Sequence, residues 1–165
     1  MIKKKICMLG AFAVGKTSLV QRYISGIFSE KYFTTIGVKI DKKSIMRDGD
    51  EVELLLWDIY GEDKFQSVES SYFRGASGYL LVLDGTRKDT LDTAIMLRKR
   101  IESTVSNIPY IVVLNKSDVK SEWEFDKEEV NQLFDNNITL IESSAKTGQN
   151  VEQIFQILTE KIMED

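Results

Sequence analysis

The chain has 165 residues, of which 42% are hydrophobic and 29% charged, and its formal net charge is −4. This length fits one globular domain with a sizeable core, and the scattered cations argue against a nucleic-acid-binding protein. Because the sequence has no histidine and a single cysteine, Cys7, it excludes histidine-based catalysis, His-ligated zinc and an internal disulfide.

Apolar runs of strand length alternate along the chain with amphipathic helical patterns. Continuous apolar runs, typical of parallel strands covered on both faces, occupy residues 6–9, 54–57, 79–83, 110–114 and 138–141. Helical spacing of apolar residues predicts helices over 16–25, 65–74, 90–105, 127–134 and 151–163.

The segment 38–46 differs because charges alternate with its apolar residues, and Asp48-Gly49 follows it as a hairpin signal. The patterns therefore predict a three-layer α/β fold. Its sheet has six strands, mostly parallel with one antiparallel strand, and helices cover both faces. Ligands of such sheets bind at the carboxyl ends of the strands.

Residues 10–17 match the phosphate-loop pattern G-x-x-x-x-G-K-[ST]. The glycines let the backbone curl so that N–H groups point at phosphate oxygens, and the following helix adds the positive end of its dipole. Lys16 supplies a cation for the β- and γ-phosphates, and the Thr17 hydroxyl is a ligand for Mg²⁺. The motif lies between a predicted strand and a predicted helix, so it predicts a nucleotide site without choosing the base.

Two further segments at strand ends favour guanine. Asp118, in N-K-S-D at 115–118, can accept paired hydrogen bonds from guanine N1–H and its exocyclic amine, a donor pair that adenine lacks. A backbone N–H in S-S-A-K at 143–146 can donate to guanine O6. In this order and with the phosphate loop, the segments predict a guanine nucleotide site.

With these motifs, the chain resembles the Ras superfamily of small GTPases over essentially all its residues. The resemblance rests on the phosphate loop and on four further motifs in matching order and spacing: T-I-G at 35–37, W-D-x-x-G at 57–61, N-K-x-D at 115–118 and S-A-K at 144–146. It is most similar to the Rab branch, through T-I-G-V at 35–38, W-D at 57–58 and S-S-Y-F-R-G-A at 70–76. The resemblance implies a single small G domain over 1–165. Such a domain binds GTP or GDP with Mg²⁺, hydrolyses GTP and acts as a molecular switch in signal transduction.

The resemblance also implies roles for matching residues. Phe28 would pack against the guanine, Tyr32 would lie over the phosphates, and Gly61 N–H would touch the γ-phosphate. The implied metal ligands are Thr17, Thr35 and, through water, Asp58. The implied catalytic residues are Lys16, Thr35, Gly61 and Glu62. The implied nucleotide-binding residues are Ala13, Val14, Gly15, Lys16, Thr17, Ser18, Phe28, Tyr32, Thr35, Gly61, Asn115, Lys116, Asp118, Ser144, Ala145 and Lys146.

Three residues depart from the family pattern near the expected chemistry. Glu62 stands where most relatives carry a water-orienting glutamine, and an ionised carboxylate only accepts hydrogen bonds. Its charge would also oppose the charge growing on the phosphoryl oxygens, so we expect slow intrinsic hydrolysis. Tyr60 replaces a small residue and would affect closure of its loop. Phe12 would crowd an arginine finger delivered by a partner. For all three, neutral variation is the alternative.

Partners are expected at two nucleotide-sensitive segments, 29–38 and 61–74. In the resemblance, Trp57 and Tyr72 match two aromatic positions that Rab effectors contact, and the third position is Ile40. Ordinary packing explains these aromatics equally well. The resemblance implies a monomer whose partners are an exchange factor, an activating protein and effectors.

The sequence favours a cytoplasmic location. It has no apolar run of about 20 residues and no signal peptide, and its last residues contain no cysteine for prenylation. Two explanations stay open: a lipidated tail lies outside this sequence and recruits the protein to membranes, or the protein is a soluble relative, for example prokaryotic.

Two other functions remain as alternatives. A hydrolysis-deficient binding module is favoured by Glu62, Tyr60 and Phe12. A P-loop ATPase or nucleotide kinase is disfavoured by Asp118 and by the lack of a lid insertion.

Overall fold

The computed structural model describes residues 1–29, 37–63, 67–134 and 137–164. The strands are β1 (Ile2–Gly10), β2 (Val38–Arg47), β3 (Asp50–Ile59), β4 (Gly78–Asp84), β5 (Tyr110–Asn115) and β6 (Thr139–Glu142). The α-helices are α1 (Lys16–Ser25), α2 (Asp89–Thr104), α3 (Lys127–Leu133) and α4 (Val151–Met163). Single 3₁₀ helices cover Ser70–Phe73 and Ser117–Glu122. In this part of the chain, no helix is both long enough and apolar enough to cross a membrane.

The strands form one six-stranded sheet in the order β2-β3-β1-β4-β5-β6. All neighbouring strands are parallel except β2 and β3, which form the predicted hairpin. Its turn residues Asp48 and Gly49 have φ of 50° and 83°, and such paired positive φ values match the twist of a two-residue hairpin. The predicted α/β fold with one antiparallel strand is confirmed.

Alternate residues of the buried strands enter two separate cores. In β4, Leu80 and Val82 belong to a core shared with α1 and α4, while Tyr79, Leu81 and Leu83 belong to one shared with α2 and α3. Successive side chains of a strand point to opposite faces, so an uninterrupted apolar run means that both faces are covered. This double burial fixes the sheet edge at which Gly10, Asp84 and Asn115 end their strands.

The helix predicted over 65–74 is wrong in the residues that are described. Residues 67–69 are not helical, and only a 3₁₀ turn, Ser70–Phe73, follows them. The backbone N–H of Val68 donates to the Glu62 carboxylate at 2.6 Å, and that of Glu69 donates to the Tyr60 hydroxyl at 3.3 Å. These side chains take the hydrogen bonds that a helix would use, a competition that helical periodicity does not report.

Candidate functional site

The phosphate-loop segment connects β1 to α1 in a tight curl. Gly15 has φ of 105°, and a Cβ there would overlap the Asn115 side-chain amide. Ala13 also has a positive φ, 65°, although it is not glycine. Among the described residues no side chain caps the N-terminus of α1, and a helix N-terminus of this kind favours an anion.

Lys16 lies inside this curl. It is 6% exposed, and its Nζ donates to the carbonyl oxygens of Gly10 at 3.3 Å and Ala11 at 3.2 Å. Burial lowers the pKa of Lys16 to about 8, although the charge of Asp58 opposes this shift. The ammonium group is therefore poorly solvated, and an adjacent phosphate would stabilise its charge.

Thr17 and Asp58 meet beside Lys16. The Thr17 hydroxyl donates to Asp58 Oδ2 at 2.6 Å, and Asp58 is 1% exposed at the end of β3. Burial raises the pKa of Asp58, while the hydrogen bond from Thr17 and the charge of Lys16 oppose it. A hydroxyl and a carboxylate oxygen this close are the hard oxygen donors that Mg²⁺ prefers, so the pair fits the implied metal.

A cavity of about 230 Å³ adjoins the phosphate loop and collects most residues predicted for base binding. Its lining includes Ala13, Gly15, Ser18, Phe28, Asn115, Lys116, Asp118, Ala145 and Lys146. Phe28 also packs against the core that α1 and α4 share with the sheet. The structure therefore brings together segments that are about 100 residues apart in the sequence, as their place at strand ends predicted.

Hydrogen bonds hold the walls of this cavity in place. Asn115 Nδ2 donates to the Val14 carbonyl at 2.9 Å, and the Ser143 hydroxyl donates to Asn115 Oδ1 at 3.1 Å. The Ser144 hydroxyl donates to Asp118 Oδ1 at 2.8 Å. Ser144 thus orients the carboxylate predicted to select the base, a role that the sequence did not indicate.

Trp123 is a second supporting residue that the sequence did not indicate. Its indole N–H donates to the Lys116 carbonyl at 2.9 Å. Its ring packs directly on Gly85, where any Cβ would overlap it. Lys116 has φ of 69°, so the carbonyl held by Trp123 belongs to a residue in a conformation that most side chains avoid.

Two predicted site residues, Tyr32 and Thr35, lie outside the described residues. Val14 is fully buried and contributes its carbonyl to the Asn115 contact. Gly61 lies against the phosphate loop, where a Cβ would overlap the backbone of Phe12. Glycine is therefore needed at this position because two backbones approach closely.

The Glu62 side chain contacts α2 through Arg100. Arg100 binds its carboxylate with two parallel hydrogen bonds, Nη1 to Oε1 at 2.9 Å and Nη2 to Oε2 at 3.0 Å. The Glu62 side chain is 6% exposed, and Oε1 also accepts the Val68 N–H at 2.6 Å. Burial alone would raise the pKa of Glu62, but the bonds from Arg100 and Val68 outweigh it and lower the pKa.

The main chain of Glu62 is tied to the phosphate loop as well. Its N–H donates to the Gly10 carbonyl at 3.2 Å, and its carbonyl accepts the Phe12 N–H at 3.0 Å. Tyr60 turns the other way: its hydroxyl donates to the Ser67 carbonyl at 2.7 Å. Glu62 therefore joins three segments, the phosphate loop, the stretch around Val68 and α2. Sequence reasoning missed Arg100, since nothing in the pattern of α2 links this residue to residue 62.

The aromatic residues expected to contact partners lie on neighbouring strands and turns. Ile40 and Trp57 are directly opposite each other in the β2–β3 pair, and Ile40 is 48% exposed. The Lys5 ammonium lies 3.5 Å from the centre of the Trp57 ring and donates to the Tyr72 carbonyl at 2.7 Å. Lys5 therefore covers part of the Trp57 ring and links it to the backbone of Tyr72.

Comparisons with known proteins agree with this geometry. The family model described as "Ras family" matches residues 5–164. The chain is 33% identical over 161 residues to "Ras-related protein Rab-1" of Theileria parva, a match that covers 96% of this chain and 73% of that protein. The chain therefore belongs to the Ras superfamily of small GTPases, in its Rab branch.

Proposed function

We propose that this protein is a Mg²⁺-dependent molecular switch that binds GTP and GDP and hydrolyses GTP slowly. The observation that carries the proposal is the junction of two sites at one sheet edge. The phosphate loop with Lys16 and Thr17 opens beside the cavity that holds Phe28 and Asp118. Together the two sites can bind the phosphates and the base of one nucleotide, with its metal ion at Thr17.

Base selection is assigned to Asp118. Its carboxylate lines the cavity and is oriented by the Ser144 hydroxyl at 2.8 Å, which leaves lone pairs for a donor pair on the ligand. Guanine presents such a pair and adenine does not. Phe28, on the wall of the same cavity, supplies an apolar surface for the ring.

The metal is assigned to Thr17 and Asp58. When bound, Mg²⁺ supplies charge neutralisation for the phosphate oxygens. The short Thr17–Asp58 contact holds both oxygen donors in place, and the cation of Lys16 lies close enough to act on the Asp58 carboxylate. Thr35, assigned from the family, completes the proposed ligand set.

Slow hydrolysis is proposed from the position of Glu62. Its carboxylate is engaged by Arg100 and the Val68 N–H, so its lone pairs are directed to α2 and away from an attacking water. The side chain is also ionised at neutral pH because its pKa is lowered. A phosphoryl transfer that relies on positioning and charge stabilisation gains nothing from such a group.

A second candidate, a binding module that does not hydrolyse GTP, is favoured by the same contact. If the Glu62–Arg100 pair persists whenever GTP is bound, residue 62 never reaches the reacting atoms. Single-turnover cleavage with and without an added activating protein distinguishes the two functions. The switch predicts slow but measurable cleavage, and the binding module predicts none.

The partner surface is proposed to include 29–38, 61–74, Trp57 and Tyr72. Ile40 extends the surface as an exposed apolar side chain opposite Trp57. Most of 29–38 and part of 61–74 lie outside the described residues. Exchange factors, activating proteins and effectors are the proposed partners, and the protein is proposed to be a single-domain monomer. We place it in the cytoplasm, with membrane recruitment if a lipidated tail follows residue 165.

The direct test is to identify the nucleotide. The purified protein is denatured and its ligand is separated by ion-pair chromatography, which reports the base and the number of phosphates. After removal of Mg²⁺, the protein is reloaded with GDP or ADP at equal concentration. Selective retention of GDP supports the proposal, and equal retention of ADP would overturn it.

A further inference from the structure

The turn after β4 presents an arginine to the phosphate loop. Arg87 Nη2 donates to the Phe12 carbonyl at 2.6 Å, and its Nε donates to Asp84 at 3.1 Å. The backbone of Arg87 is fixed too, because its N–H donates to the Asp84 carbonyl at 3.0 Å and its carbonyl accepts the Thr90 hydroxyl at 2.7 Å. The guanidinium therefore reaches Phe12 from a rigid support.

Asp84 directs a second cation to the same loop. Its Oδ2 also accepts Lys116 Nζ at 2.7 Å, and that ammonium donates to the Ala13 carbonyl at 3.3 Å. Asp84 is 1% exposed, and its other oxygen accepts the Thr86 N–H and hydroxyl. One buried carboxylate thus orients two cations, and they hold the carbonyls of consecutive residues.

The backbone between the two hydrogen-bonded carbonyls, that of Ala13, has an unfavourable conformation. Ala13 has φ of 65°, in the left-handed region that disfavours residues with a Cβ. The Phe12 carbonyl belongs to the peptide before Ala13, and the Ala13 carbonyl to the peptide after it. Such a conformation persists when the surroundings fix the peptides on both sides. Arg87 and Lys116 fix them here.

We propose that Asp84 and Arg87 are positioning residues for nucleotide binding, which hold Ala13 in its left-handed conformation and so keep the phosphate loop in the shape that retains the ligand. The inference rests on the proposed guanine nucleotide binding and adds a mechanism that the sequence motifs do not contain. The two residues act through the Phe12 and Ala13 carbonyls and do not themselves touch the nucleotide.

The test compares Arg87→Gln with Lys88→Gln. Both variants remove one positive charge from the same turn, but the Lys88 ammonium pairs with Glu129 at 3.5 Å instead of with a carbonyl of the phosphate loop. Release of radiolabelled GDP is followed after adding excess unlabelled GDP. We expect Arg87→Gln to speed release about tenfold, since it removes a charged hydrogen bond, and Lys88→Gln to change it less than about twofold.

A rescue separates positioning from general support. Glycine adopts the left-handed region without the penalty of a Cβ, so a loop with glycine at residue 13 should depend less on the contacts from Arg87 and Lys116. We expect Ala13→Gly to bring release in Arg87→Gln back to within about threefold of the wild type. Asp84→Asn should release GDP at least as fast as Arg87→Gln, because it weakens the hold on Lys116 as well.

The outcomes separate the two hypotheses. If the wild type does not retain GDP, the proposed function fails. If it retains GDP but Arg87→Gln releases it no faster than Lys88→Gln, this inference is wrong. It is also wrong if Ala13→Gly gives no rescue, because the contact would then only support the fold. Thermal unfolding of each variant shows that it is folded, and Arg87→Gln keeps the test valid if Asp84→Asn does not fold.

Discussion

At the scale of single residues, substitution of Asp118, the carboxylate that Ser144 orients, shows how much of the selection for guanine depends on charge. Asp118→Asn keeps the shape of the side chain but replaces one acceptor by a donor. We expect guanine affinity to fall about tenfold to a hundredfold, corresponding to roughly 1.5–3 kcal/mol for a charge-assisted bond, while xanthine affinity rises. Competition binding with GDP and xanthosine diphosphate measures both changes.

Ser144→Ala is the matched control for this change. It removes the hydroxyl that donates to Asp118 Oδ1 and leaves the carboxylate in place. We expect a smaller loss of guanine affinity with no gain for xanthine. Unchanged xanthine affinity in Asp118→Asn would mean that this carboxylate does not contact the base.

Lys16 should couple nucleotide binding to proton uptake. Its pKa is about 8 because it is buried, so the side chain is mostly neutral at pH 9. Phosphates stabilise the charged form and raise this pKa, so Lys16 should take up most of a proton when the ligand binds at pH 9 and almost none at pH 6.5. Calorimetric titration in buffers of different ionisation enthalpy measures the number. Equal uptake at both pH values would contradict the assignment of Lys16 to the phosphates.

At the scale of elements, α2 holds the loop that carries Glu62, and breaking this contact should change hydrolysis. Glu62→Gln removes the charge that binds Arg100 and supplies an amide that can both donate and accept. We expect wild-type cleavage at or below about 10⁻⁴ s⁻¹ and a severalfold increase in Glu62→Gln. Single-turnover GTP cleavage at saturating Mg²⁺ is the measurement.

Arg100→Gln distinguishes release of the loop from the chemistry of residue 62. It breaks the same ion pair but keeps the carboxylate, so we expect no increase in cleavage. The double variant Glu62→Gln/Arg100→Gln leaves no unpaired charge and should cleave about as fast as Glu62→Gln. Brisk wild-type cleavage that collapses in Glu62→Gln would instead make Glu62 a catalytic group.

The elements also show how far the sequence predicts this molecule. The strands other than β2 were predicted because both their faces contact a core, which leaves continuous apolar runs, and the cavity followed from motifs at the strand ends. Residues 67–69 were mispredicted because Glu62 and Tyr60 accept the backbone N–H groups of Val68 and Glu69. Contacts such as Glu62–Arg100 and Arg87–Phe12 join residues far apart in sequence through side-chain geometry. No periodicity or motif encodes them.

At the scale of the whole molecule, Cys7 should report global opening. It is fully buried in β1, and burial raises its pKa to about 12. A thiol reagent should therefore modify it only when the sheet opens. Ligand that binds only the folded state should slow this reaction by the factor 1 + [L]/Kd, about a thousandfold at a thousand times Kd. Labelling at rising GDP concentration tests this, and GDP-independent labelling at saturation would contradict it.

The two tryptophans lie beside different parts of the proposed switch. Trp123 packs on Gly85 and bonds to the Lys116 carbonyl beside the base cavity, while the ammonium of Lys5 lies over the ring of Trp57 near Tyr72. Indole emission depends on nearby charges and on solvent exposure. Ligand arrival and partner docking should therefore change the fluorescence of different tryptophans. With the other tryptophan replaced by phenylalanine, each event becomes visible separately, and no dye has to be attached.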